Sequence, residues 1–181
     1  MGSDVMFTFK ELGLKGLILV GSEKHFDVRG SLSERYDKPA FESAGITEEF
    51  TKDLATWSKK GVIRGLHFQR KPHEQAKLVS VLSGRIFDVA VDIREGSATF
   101  GKWIGTELNE SNGLSLFVPK GFAHGFQVLE DSTVLYKISG EYSREHESGI
   151  IWNDPKLKIP WKVANPVVSA KDKLFPGLGR E

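Results

Sequence analysis

The strongest constraint on this chain is a two-residue alternation that recurs between turn residues through its middle. The segment 85–93 (RIFDVAVDI) places Phe87, Val89, Val91 and Ile93 on one side of an extended backbone and Ile86, Asp88, Ala90 and Asp92 on the other. A helix turns about 100° per residue and cannot sort residues this way, whereas a strand does so by construction. The preceding segment 77–82 (KLVSVL) reads as another strand, with Ser83-Gly84 as the turn of a hairpin between the two. Further strands are expected at 16–20, 62–69, 101–108, 114–118, 125–129 and 133–139. A helix is expected at 37–44, where Pro39 suits a first turn, and a short helical turn at 169–174. Many short strands with few helices predict an all-β sandwich or closed barrel, with 1–181 forming one domain.

Bulk properties narrow the function classes. Lysine plus arginine number 25 and aspartate plus glutamate 24, a balance that disfavours a nucleic-acid coat or a membrane surface. The chain has no cysteine, so disulfides, thiolate catalysis and cysteine-held metal clusters are excluded. No apolar run approaches the roughly 20 residues that span a bilayer. Residues 1–10 lack the basic and apolar regions of a secretory signal, and a cytoplasmic location is expected.

Chemistry-bearing residues stand in the apolar segments. Val62-Ile63-Arg64-Gly65-Leu66-His67-Phe68-Gln69 carries an arginine, a histidine and a glutamine in a strand-like run. On this pattern a core histidine and a functional one stand level for His67. A buried arginine needs an anion, so Arg64 and Gln69 beside it suggest a polar, ligand-facing wall. His124 lies in Pro119-Lys120-Gly121-Phe122-Ala123-His124-Gly125-Phe126, where the glycines permit close backbone approach. Taken alone it reads as a turn histidine, Tyr136 as a core tyrosine, Lys77 as a strand end and Asp172 as a surface or cap carboxylate. Asp88, on an inward strand face, calls for a lysine or histidine partner. There is no phosphate-binding glycine loop, no nucleophile elbow and no His-x-His pair. The last absence disfavours a metal-binding barrel.

Taken in order, several segments resemble the dTDP-4-dehydrorhamnose 3,5-epimerase family. They are Asp27-Val28-Arg29-Gly30, the run from Gly61 to Gln69, Gln75-Ala76-Lys77-Leu78-Val79, Phe87-Asp88-Val89-Ala90-Val91-Asp92, the run from Val118 to Phe126, Tyr136-Lys137 and Ile151-Trp152-Asn153-Asp154-Pro155. The resemblance implies a cupin-like jelly-roll barrel with a few short helices. It also implies a homodimer that exchanges an amino-terminal segment, about residues 1–30, and a reaction without cofactor or metal. The implied substrate is a 4-keto-6-deoxyhexose on a nucleoside diphosphate, epimerised at C3, C5 or both through an enolate.

By the same resemblance His67 is the base, Asp172 the carboxylate that orients it, Tyr136 the acid on the other side of the ring and Lys77 the cation near the enolate oxygen. His124 and Asp88 form a supporting pair, with His124 also near substrate. Arg29, Glu34, Arg64, Gln69, Tyr142, Glu147 and Lys171 hold substrate. The chain departs from the family pattern at Lys52-Asp53-Leu54, Ser80, Glu141 and Ser143-Arg144, all on or near the side that would grip the nucleotide. With Glu141 in place of an aromatic, Tyr142 or Trp57 is left to stack on the base. A ketoisomerase of the same fold, a metal-dependent cupin and a non-catalytic sugar-binding module are the alternatives.

Overall fold

The computed structural model describes residues 6–179. Residues 1–5, the start of the segment read for a signal and for exchange, lie outside the described residues. In chain order the strands are β1 (Phe7–Glu11), β2 (Ile18–Ser22), β3 (Lys24–Asp27), β4 (Gly30–Ser33), β5 (Phe50–Ser58) and β6 (Val62–Gln69). They continue as β7 (Lys77–Asp92), β8 (Trp103–Asn109), β9 (Leu114–Val118), β10 (Phe122–Ser139), β11 (Glu147–Gly149) and β12 (Val167–Val168). The helix α1 (Lys38–Ser43) forms where expected. Asp37 caps it by accepting from the Ala40 N–H at 2.8 Å, and Pro39 sits in its first turn.

The hairpin expected at Ser83-Gly84 does not form. β7 runs unbroken through these residues, and β10 likewise joins the segments expected as two strands at 125–129 and 133–139. The two long strands pair antiparallel from Phe122↔Asp92 to Ile138↔Lys77, with register shifts between Val128 and Val134. Gly84 has φ +80°, and a side chain there would strike the Asp131 carbonyl, so the glycine permits a bend rather than a reversal. Each strand therefore turns a corner from one sheet into another.

One sheet holds β1, β2, β9, the first leg of β7, the second leg of β10 and β5. The other holds β8, the second leg of β7, the first leg of β10 and β6, with β11 and β12 on β6. All pairings are antiparallel except β12 with β6. This is a jelly roll, and its inner faces meet in a core of Val79, Val81, Ile86, Ala90, Leu116, Phe126, Val128 and Val134. The outer faces are covered as well. Phe87, Val89 and Val91 pack against Ile150, Leu157 and Trp161, while Phe41 from α1 packs with Val20, Leu78 and Phe117. The alternation in 85–93 thus sorts correctly, and both of its sides are buried. β3 and β4 form a separate two-stranded hairpin, with Phe26, Val28 and Leu32 exposed.

Candidate active site

The inner faces of the two sheets bring most of the expected site residues together. β6 and β10 approach so closely at Gly65 and Gly125 that a Cβ on Gly65 would lie 2.5 Å from Gly125 Cα. Only glycine tolerates that approach, which accounts for the Arg-Gly-Leu-His and Ala-His-Gly spacing. Beyond it the register shifts and His67 faces His124 across the strand pair.

His67 Nε2 lies 2.9 Å from Asp172 Oδ1, while Asp172 Oδ2 accepts the Gly65 N–H at 3.1 Å. Burial works to raise the Asp172 carboxyl, but its hydrogen bonds with His67, Gly65 and Ser169 outweigh that and hold it below the usual range. An ionised Asp172 fixes His67 with the proton on Nε2, leaving Nδ1 as the basic nitrogen. The ring is half-buried and Phe175 meets it edge-on at 5.7 Å.

His124 and Asp88 form a second imidazole–carboxylate pair at 2.7 Å, fully buried. Burial pushes the His124 imidazole down despite Asp88, so the ring is neutral. Asp88 Oδ2 has no hydrogen-bond partner among the described residues. Lys77 projects into the same space, its Nζ 3.3 Å from the His67 carbonyl. Burial lowers its ammonium to about 8, against the opposing pull of Asp88 and Glu147. Tyr136, on the second leg of β10, comes from the other sheet and meets the His124 ring edge-on at 6.2 Å. Burial, reinforced by Asp88, pushes its phenol far above the ordinary value, so it stays protonated at neutral pH.

A second group lies at the rim. Glu147 accepts from the Tyr142 hydroxyl at 2.8 Å and pairs with the Lys171 ammonium. Burial acts to raise Glu147, yet Lys171 and Tyr142 together bring it down. Tyr142 and Trp57 are both exposed. Arg64 is exposed rather than buried. Its Nε donates to Ser58 Oγ at 2.9 Å, so β5 positions it without an anion. Gln69 is buried and its Oε1 accepts the Ser143 N–H at 3.2 Å, which ties β6 to the following loop. Arg29 and Glu34 do not join this group within the chain. Arg29 sits on the exposed hairpin with its guanidinium on Asp27, and Glu34 is exposed just beyond β4.

Three residues escaped the sequence reading: Ser58, Phe175 and the buried hydroxyl of Thr56. Only the need of Arg64 for an acceptor hinted at Ser58. A cavity of about 670 Å³ opens between Phe68, Arg70, Glu74, Arg94 and Phe122. It shares only Gln69 with the expected site. Its Arg94 and Lys120 already pair with Asp92 and Glu48. The buried titratable groups gather instead at the two imidazole–carboxylate pairs and the phenol facing them. Among the described residues no three His, Asp or Glu side chains gather as metal ligands.

Comparison with known proteins agrees with this fold. The sequence pattern of the dTDP-4-dehydrorhamnose 3,5-epimerase family matches residues 11–179. The chain is 47% identical to the Shigella flexneri dTDP-4-dehydrorhamnose 3,5-epimerase over 158 residues, covering 86% of this chain and 87% of that protein. The Bacillus anthracis enzyme of that name, solved with TDP and pyrophosphate bound, superposes with a TM-score of 0.92 at 42% identity, covering 96% of this chain and 100% of that one. The Legionella pneumophila dTDP-6-deoxy-D-glucose-3,5-epimerase, solved with dTDP-4-keto-L-rhamnose, superposes with a TM-score of 0.91 at 40% identity, covering 96% of this chain and 93% of that one. Fold and sequence agree, and this chain belongs to the dTDP-4-dehydrorhamnose 3,5-epimerase family.

Proposed function

We propose that this protein epimerises both C3 and C5 of a 4-keto-6-deoxyhexose carried on thymidine diphosphate. The observation that carries the reading is the placement of a carboxylate-paired imidazole on one barrel wall and a protonated phenol on the other. The C4 ketone acidifies the hydrogens on C3 and C5. His67 Nδ1 takes one of them, and the C–H electron pair moves into the enolate with charge on O4. The Lys77 ammonium stabilises that oxygen, an effect typically worth about 3 kcal/mol in a preorganised site. Tyr136 then delivers a proton to the opposite face of the carbon, which inverts the centre. Solvent removes the proton from His67 and restores the one lost by Tyr136. Asp172 holds His67 in the required tautomer, and the neutral His124 with Asp88 lines the floor beneath the sugar.

The diphosphate and base are gripped at the rim. Arg64 supplies a planar fork for phosphate, Lys171 a second cation, and Tyr142 or Trp57 a face for the base. Arg29 and Glu34 fit this role only in a homodimer, where the hairpin of β3 and β4 crosses to a second copy. Its exposed Phe26, Val28 and Leu32 support that reading, since an apolar hairpin projecting from a chain needs a surface to cover it. Each chain would contribute one barrel, acting in the cytoplasm. No described helix is long and apolar enough to cross a membrane.

The test is incubation with dTDP-4-keto-6-deoxyglucose in deuterated water, followed by NMR. Deuterium at C3 and C5 with both centres inverted is expected. Migration of the ketone would assign a ketoisomerase, and ligand binding without exchange would leave only a sugar-binding module.

A further inference from the structure

Thr56 Oγ1 is buried and has no hydrogen-bond partner among the described residues. A buried hydroxyl left unpaired costs about 1–3 kcal/mol, so it calls for a partner that acts at some stage of the reaction. The neighbours identify that partner. β5 pairs with the second leg of β10 in the register Val134↔Thr56 and Tyr136↔Leu54. Thr56 thus stands diagonally beside Tyr136, on the strand face that Val134 and Tyr136 turn toward the barrel interior. Ser58 lies two residues along the same face, but its hydroxyl already accepts from Arg64. Thr56 is left facing the phenol, and its hydroxyl favours the ionised form of Tyr136 against the effect of burial.

We propose that Thr56 is the positioning residue of the acid: its hydroxyl donates a hydrogen bond to the Tyr136 oxygen as the phenol gives up its proton, and so fixes the face from which carbon is reprotonated. This rests on Tyr136 being that acid. In the step, the Tyr136 O–H bond breaks and its electron pair stays on the phenolate oxygen. The enolate π pair forms the new C–H bond. Thr56 keeps its own proton and stabilises only the developing phenolate.

Thr56→Val removes the hydroxyl and keeps the β-branched shape, while Thr56→Ser keeps the hydroxyl. With the keto-sugar nucleotide in deuterated water, Thr56→Val should lower kcat for inversion roughly tenfold or more, the expected loss for one hydrogen bond to a charged group. KM should hold within about twofold, because the bond forms only as charge develops. Deuterium exchange should fall less than inversion, Thr56→Ser should restore both, and Thr56→Val should add nothing in a Tyr136→Phe background. Wild-type inversion by Thr56→Val overturns the proposal, as does an independent loss on top of Tyr136→Phe, or a rise in KM alone. If Thr56→Val does not fold, the same ratios for Thr56→Ala against Thr56→Ser decide the matter. Full inversion by Tyr136→Phe would sink the acid assignment itself. A slow Tyr136→Phe beside a normal Thr56→Val sinks only the role of Thr56.

Discussion

Lys77 should oppose folding while it supports turnover, and Lys77→Met separates the two effects. Burial lowers its ammonium from 10.5 to about 8. Each pH unit of such a gap corresponds to about 1.4 kcal/mol, so keeping Lys77 charged in the folded protein costs about 3 kcal/mol at neutral pH. Methionine fills the same volume without charge. The substitution also strips Asp88 of a nearby cation, although His124 Nε2 still bonds Asp88 Oδ1 at 2.7 Å. Allowing for that loss, the variant should be about 2 kcal/mol more stable than wild type at pH 7. The pH dependence has a definite sign. The folded value lies below the unfolded one, so the unfolded chain binds more protons between pH 8 and 10.5, and wild type gains stability across that window. Below it the penalty is constant. Urea denaturation at pH 7, 8.5 and 10 should therefore show the advantage of Lys77→Met shrinking as pH rises. Turnover should move the other way. The variant should lose roughly a hundredfold or more in kcat, and wild-type activity should decline above about pH 8 as the ammonium is lost. A variant less stable than wild type at pH 7, or an advantage that does not change with pH, would refute the burial argument. Unchanged turnover would remove Lys77 from the mechanism.

Other predictions follow from the same geometry. Tyr136→Phe should reduce inversion far more than solvent exchange, because deprotonation by His67 does not need the phenol; equal losses measured by NMR would contradict the split of roles. Asp172→Asn should lower kcat about a hundredfold or more with the fold intact, since a neutral amide neither fixes the tautomer nor balances the imidazolium. Gly125→Ala should destabilise the barrel by about 2 kcal/mol or more in denaturant titration, because its Cβ would lie 2.7 Å from the Arg64 carbonyl and 2.9 Å from Gly65 Cα, both backbone. Mixing inactive Arg29→Ala with inactive His67→Asn should restore partial activity if the hairpin serves a second copy; no recovery after verified subunit exchange would place Arg29 outside the site.

What the sequence discloses depends on range. Alternation is local, so 85–93 reveals both its faces, and Asp37 with Pro39 marks α1. The corner at Gly84 is misread for a physical reason. A positive-φ glycine after serine serves a reversal and a bend equally well, and the Asp131 carbonyl that distinguishes them lies far along the chain. β5 goes unrecognised because Thr51 to Ala55 are exposed and carry no apolar period. His67 and Asp88 draw attention as polar groups in apolar strands, whereas Lys77 reads as a plain strand end, and Asp172 meets His67 across 105 positions with no local pattern to announce it. Its role came through family resemblance, and Thr56 had no signal at all.

The two bent strands have a mechanical consequence. β7 carries Lys77 on one leg and Asp88 on the other, and β10 carries His124 and Tyr136 in the same way. The spacing of Lys77 from Asp88 and of His124 from Tyr136 is therefore governed at the crease where Gly84 and Ser132 meet, much as the angle of a book is governed at its spine. Ser132 Oγ, which accepts the Arg85 N–H there at 2.9 Å, touches no reacting group, yet it helps set how wide the pages stand apart.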